Sequence, residues 1–252
     1  MQQIDDLDVI SCGVGNLTIV AVHGIQGTRT SWQPLTATLQ GDVRWVLPNL
    51  RGRAAAFRGK GSADYTLEKF AAEIVAVIQR HVHTPRFVLA GWSMGVSVTL
   101  ATMALLQKEG LSLPQALILM SGTPVLQQTS WFHETGHAAL LQEIAAREQR
   151  LKLSNSADRD AVAWTWQAIA NTDQRTLLPT LNLPALIVHG SADEDTPYAH
   201  AQWLYQGLPQ ASLRTIDGGA HSILTQNTAR VAEEIQGFLS DIPTIRNHTE
   251  FP

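Results

Sequence analysis

Gly91-Trp92-Ser93-Met94-Gly95 reads G-x-S-x-G, and its surroundings decide the fold. An apolar run, Arg86-Phe87-Val88-Leu89-Ala90, precedes it, and residues 95–108 follow with a helical pattern. A serine on so sharp a strand-to-helix turn has its hydroxyl pushed clear of the backbone. The glycines are needed because strand and helix then lie too close together for side chains. The pentapeptide alone also arises by chance as an ordinary turn, so the strand before it and the helix after it are the stronger signal.

On either side of this turn, strand and helix patterns alternate. Runs at 17–22, 43–47, 86–90, 116–120, 185–189 and 212–216 read as strands. The first is nearly continuous, as expected of a strand buried on both faces. Helical spacing marks 67–82, 95–108, 198–207 and 229–239. The alternation predicts an α/β protein, a doubly wound and mostly parallel sheet with helices on both faces. Residues 4–10 and 17–23, separated by Gly13-Val14-Gly15-Asn16, read as an N-terminal hairpin. From Thr123 to about Leu181 the rhythm gives way to helices, at 138–151 and 159–170. The expected organisation is therefore a core of residues 1–122 and 182–252 carrying a helical cap insertion, 123–181. Sites in such sheets lie beyond the carboxyl ends of the strands, where this cap would sit.

Composition narrows the function classes. The 252 residues include 44% hydrophobic and 16% charged ones, ordinary values for a soluble protein with a sizeable core. A formal net charge of −4 gives no electrostatic case for nucleic acid. The single cysteine, Cys12, excludes an intramolecular disulfide. The acidic N-terminus lacks the pattern of a signal peptide, and no apolar stretch approaches a bilayer span of about 18 residues. A cytoplasmic location, no membrane association and no bound cofactor are the expectations.

A serine hydroxyl is a poor nucleophile at neutral pH; it needs a base, and the base needs an orienting acid. Two strand-end loops offer them on the same sheet edge as Ser93. Gly190-Ser191-Ala192-Asp193-Glu194-Asp195-Thr196-Pro197 follows one strand, and Asp217-Gly218-Gly219-Ala220-His221-Ser222 follows the next. The order Ser, Asp, His is the one this architecture uses. Asp195 rivals Asp193 for the acid role, whereas Asp217 reads as a turn cap. His23 and His189 each precede a glycine at a strand end and read as structural, holding loop backbones by hydrogen bonds.

Together these segments resemble the α/β-hydrolase fold family. The resemblance covers the chain outside the cap: His23-Gly24-Ile25, Asn49–Gly52, the elbow at 91–95, Gly190–Pro197 and Gly218–His221. It implies that Ser93 is the nucleophile, His221 the general base and Asp193 its orienting carboxylate. It further implies an oxyanion hole from the backbone N–H groups of Ile25 and Met94, each worth about 3–4 kcal/mol to the transition state. The implied reaction is hydrolysis of a carboxylic ester, lactone or thioester of a small acyl substrate through an acyl-enzyme. Carbon–carbon bond hydrolysis, acyl transfer, or a non-catalytic receptor on the same fold are the alternatives. Serine at the elbow argues against the dehalogenase and epoxide-hydrolase branches, which place aspartate there.

Three features stand apart. His133-Glu134-Thr135-Gly136-His137 matches the zinc motif H-E-x-x-H. Gly136 weakens the helix the motif requires, so no metal site is expected and the histidines read as cap residues. The segment 51–61 is basic, fitting either recognition of an anionic group or a solvated mobile loop. Trp92 at the elbow and Trp131, Phe132, Trp164 and Trp166 in the cap are candidates for an apolar pocket, or for the glue between cap and sheet.

Overall fold

Seven strands, ordered β1-β3-β2-β4-β5-β6-β7, form one sheet in the computed structural model, which describes residues 7–242 apart from Pro85, Lys152 and Ser154. The strands are β1 (Asp8–Cys12), β2 (Thr18–Val22), β3 (Arg44–Asn49), β4 (Phe87–Trp92), β5 (Ala116–Met120), β6 (Ala185–Gly190) and β7 (Ala211–Ile216). All neighbours are parallel except β1 and β3. The expected N-terminal hairpin does not form. Asp8 to Cys12 pair antiparallel with Asn49 to Trp45, while β2 lies on the far side of β3 and pairs with it in parallel. The glycine-containing turn carries the chain across β3 instead of folding β1 back onto β2. Residues 4–6 of that expectation lie outside the described residues.

Strand periodicity divides the core into two layers. Val20 and Val22, Leu89, Leu117 and Leu119, and Ile187 face one side. Ile19 and Ala21, Val88 and Ala90, Ile118 and Met120, and Leu186 and Val188 face the other. The first side is covered by α2 (Leu67–His81), α3 (Met94–Lys108) and α6 (Ala199–Gly207). The second is covered by α1 (Gln33–Leu39), α7 (Ile223–Gln226) and α8 (Thr228–Asp241). Helix α2 shows why such a segment is helical. Thr66 caps its first turn by accepting from the Lys69 N–H, Glu68 suits the positive end, and Arg80 and His81 suit the negative end. Phe70, Ala71, Ile74 and Ile78 form its buried stripe.

Between β5 and β6 the described residues contain no strand. Two helices, α4 (His137–Leu151) and α5 (Arg159–Ile169), pack against each other there. The connection that leaves β2 runs to β3, whereas the one that leaves its neighbour β4 runs to β5, in the opposite direction along the sheet. This places a switch point at the carboxyl ends of β2 and β4, where an open sheet leaves a crevice.

Candidate active site

Backbone geometry raises Ser93 out of the β4–α3 turn. Its φ of 58° and ψ of −124° lie where side-chain-bearing residues are strained, and the turn is anchored by the Ser93 N–H donating to the Met120 carbonyl at 2.9 Å. The two glycines of the pentapeptide are sterically required. A Cβ on Gly91 would sit 2.4 Å from the Gly95 carbonyl oxygen, and one on Gly95 would sit 2.2 Å from that of Val22. The close approach of α3 to β2 thus depends on both.

Three strand-end loops converge on this serine. The Ser93 hydroxyl lies 2.8 Å from His221 Nε2, beyond β7. His221 Nδ1 lies 3.1 and 3.0 Å from the two oxygens of Asp193, beyond β6. A carboxylate only accepts, so Nδ1 carries the proton and Nε2 turns its lone pair towards the hydroxyl. All three residues are buried. Asp193 also accepts the Thr196 N–H at 2.8 Å, which fixes its carboxylate plane. Asp195 is elsewhere: its oxygens face Arg147 at 2.6 Å and Arg150 at 3.3 Å. Burial by itself would raise the Asp195 carboxyl, but Arg147, His221 and Arg150 outweigh it and hold the group below its usual range. Asp217 is exposed at the turn after β7.

The loop after β2 brings Ile25 to the same cleft. Met94 opens helix α3, so its N–H has no acceptor within the helix. No acceptor among the described residues takes the Ile25 N–H. His23, fully buried, accepts from the Leu50 N–H at Nε2 and donates from Nδ1 to the Gly24 carbonyl at 2.9 Å. Burial, then the nearby Arg53, lowers its pKa to about 3, so the ring is neutral. The Gly24 carbonyl and the Ile25 N–H belong to one trans peptide, in which they point opposite ways. Holding the carbonyl therefore turns the N–H the other way. His189 donates from Nε2 to the Thr196 carbonyl at 2.7 Å and lies 3.4 Å from Asp193.

A match to the family model described as "Alpha/beta hydrolase family" spans residues 19–234. The chain belongs to this family. Two curated relatives are each named pimeloyl-[acyl-carrier protein] methyl ester esterase. One, from Xanthomonas oryzae pv. oryzae, is 26% identical and is aligned over 94% of this chain and 99% of its own. The other, from Nitrosomonas europaea, is 30% identical over 77% of this chain and 84% of its own. Among solved structures, an esterase from Exiguobacterium antarcticum superposes with a TM-score of 0.78 at 20% identity, covering 93% of this chain and 95% of that one. It shares the α/β-hydrolase fold.

In this α/β hydrolase the cleft at Ser93 has a volume of about 250 Å³. Gly24–Gly27, Trp92, Arg147, Leu151, His221 and Leu224 are among its walls. Of the aromatic pocket candidates only Trp92 stands there; its Nε1 donates to the His221 carbonyl at 3.2 Å and its ring packs 5.4 Å from the imidazole. Trp131, Phe132 and Trp164 are not among the described wall residues. Trp131 and Phe132 pack on Trp166, and Trp131 Nε1 donates to the Asp195 carbonyl at 2.9 Å. Trp164 stacks between Tyr65 and His137. Trp164 thereby joins α4 and α5 to Tyr65, and Trp131 joins the Trp166 cluster to the loop after β6.

The H-E-x-x-H residues do not share a helical face, because α4 begins only at His137. The Glu143 carboxylate accepts the backbone N–H groups of His133 and Glu134, and His137 pairs with Asp160 at 2.8 Å. Neither expectation for the basic segment fits Arg51 or Arg53. Arg51 and Arg53 are buried: Arg51 pairs with Glu73, and Arg53 donates to the carbonyls of Arg51 and Ile25 at 2.6 and 2.5 Å. Arg58 and Lys60 are exposed. Gln26, Arg53 and Arg147 were invisible as site residues in the motif reading. For Arg147 a signal existed: it follows Leu140 and Ile144 at helical spacing, on the one buried stripe of α4.

Proposed function

We propose that this α/β hydrolase cleaves a carboxylic ester through an acyl-enzyme on Ser93. The single observation behind this reading is the unbroken chain of contacts Ser93–His221–Asp193 opening onto the cleft. Ser93 Oγ adds to the ester carbonyl carbon as its proton passes to His221 Nε2. Asp193 steadies the resulting imidazolium through Nδ1–H. The carbonyl oxygen becomes an oxyanion facing the N–H groups of Met94 and Ile25. Collapse expels the alcohol, which takes the proton from His221. Water, deprotonated by the same imidazole, then adds to the acyl carbon, and a second oxyanion collapses to release the acid and restore Ser93.

The curated relatives, both named as methyl ester esterases, support an ester as the scissile group. A cleft of about 250 Å³ is small for a ligand site, which fits a short group on one side of the carbonyl. Residues 123–181 act as the cap over this cleft, contributing Arg147, Leu151, Leu153 and Asn155 to its wall.

A panel of p-nitrophenyl esters of increasing acyl length and of methyl esters, run beside a fluorophosphonate probe, tests the proposal. Hydrolysis that favours a short acyl or alkoxy group, with probe mass on Ser93 and none after Ser93→Ala, is expected. Full activity in Ser93→Ala would sink the mechanism. Turnover of lactones or thioesters but no simple ester would reassign the substrate.

A further inference from the structure

The loop that presents the Ile25 N–H is held from two sides. From the core, His23 and Arg53 fix the carbonyls of Gly24 and Ile25. Its next residue, Gln26, is held by the opposite layer. Gln26 Nε2 donates to the Ile144 carbonyl at 3.1 Å, Gln26 Oε1 accepts from the Arg147 guanidinium, and the Gln26 carbonyl accepts from the Ala157 N–H at 3.0 Å. All three partners lie between residues 144 and 157, on α4 and the segment after it. Arg147 is buried and also donates to Asp195 at 2.6 Å. Asp195 stands two residues from Asp193, and its backbone carbonyl takes the Trp131 indole. One guanidinium therefore bridges the loop after β2 and the loop after β6, across the cleft that Ser93 faces.

From this bridge we infer that Arg147 is a positioning residue: through Gln26 it sets the Ile25 N–H, so the oxyanion hole is complete only while α4 is docked. The proposal rests on the reading of Ser93, His221 and Ile25 given above. A planar, forked guanidinium suits the task because it can serve the Gln26 amide and the Asp195 carboxylate together in fixed geometry. Displacing α4 removes both side-chain anchors of Gln26 and leaves the Ile25–Gln26 segment held from the core and by the Ala157 N–H alone. Among the described residues Gln26 makes no hydrogen bond to Ser93, His221 or Asp193, so the hydrogen bonds that join those three persist. The cap helix thereby governs transition-state binding separately from nucleophile activation.

The test compares Arg147→Met, Arg147→Lys and Gln26→Ala with the parent chain. It measures kcat and KM on a p-nitrophenyl ester and the affinities of two ketones. A trifluoromethyl ketone accepts Ser93 and forms an oxyanion, whereas the matching methyl ketone reports binding without strong addition. Arg147→Met and Gln26→Ala are each expected to lose about 10- to 100-fold in kcat, with KM within about threefold, since one oxyanion donor is worth about 10²–10³-fold. The trifluoromethyl ketone should weaken by the same factor and the methyl ketone by less than threefold. Arg147→Lys should recover part of the loss. The double variant Arg147→Met/Gln26→Ala should be no worse than the poorer single one, because both act through one link. If Arg147→Met does not fold, Gln26→Ala carries the test, since it leaves the Arg147–Asp195 pair intact. Unchanged kcat and trifluoromethyl ketone affinity, or a rise in KM alone, would overturn the positioning role. Failure of the underlying ester-hydrolase reading would look different: the parent chain itself would show no Ser93-dependent turnover.

Discussion

Replacing Asp193 by Asn tests whether the carboxylate sets the tautomer of His221. The asparagine carbonyl can keep the Thr196 N–H, now held at 2.8 Å by Oδ1, and the new NH₂ then takes the place of Oδ2, 3.0 Å from His221 Nδ1. An NH₂ group donates, so it stabilises the tautomer with the proton on Nε2, pointed at Ser93 2.8 Å away. A base already protonated on that nitrogen cannot take the serine proton. The expected loss is roughly 10³–10⁴-fold in kcat, about 4–5.5 kcal/mol of barrier, with KM little changed. Asp195→Asn provides the contrast. It leaves the buried Arg147 without its carboxylate, so it should cost stability, about 3 kcal/mol and hence about 6–12 °C in Tm, and no more than about tenfold in kcat. Steady-state kinetics and thermal melts on the two variants decide the matter. A kcat loss below tenfold in Asp193→Asn, or a greater loss in Asp195→Asn, would refute the assignment.

Ser93→Gly should be inactive yet more stable, because glycine adopts a φ of 58° without the strain serine bears there; a gain of about 1 kcal/mol, or 2–4 °C in Tm, is expected. An unchanged or lower melting temperature would show that the elbow is not strained. Stability should also fall on acidification. His23 stays neutral down to about pH 3, whereas in the unfolded chain it takes a proton near its ordinary value of about 6.5. Between these limits the unfolded state binds the extra proton, so stability is complete above about pH 6.5. It declines below that by up to about 1.4 kcal/mol per pH unit from this residue alone. Urea midpoints at pH 7.5, 6 and 4.5 measure the decline, and a flat series would contradict it.

Short-range patterns were readable where one residue type has one use. The glycines of the elbow, the period-2 strands and the loops carrying Asp193 and His221 all follow from local chemistry, and the structure brings these residues together. Pairing across the sheet is not local. The turn at Gly13–Asn16 is compatible with a hairpin, but β1 gains the edge of β3 instead, and nothing within residues 4–23 encodes that partner. Trp131 and Phe132 left two readings open for a similar reason: a large aromatic ring buries its area equally well against a ligand or against another ring, and Trp166 supplies that ring for both. Charge misled at Arg51 and Arg53, where a basic-looking loop turns inward because backbone carbonyls and Glu73 receive the guanidinium groups. Arg147 was the readable residue that a motif search passes over, since its signal is a position on a helical stripe.

The most direct measurement is the mass of the enzyme during turnover of a slowly deacylating ester, quenched in acid and followed by peptide mapping. One acyl group, on the peptide that contains Ser93 and formed at the rate of the alcohol burst, is the predicted result. Steady turnover with no acyl group on the protein, or an acyl group on any other residue, would contradict the account.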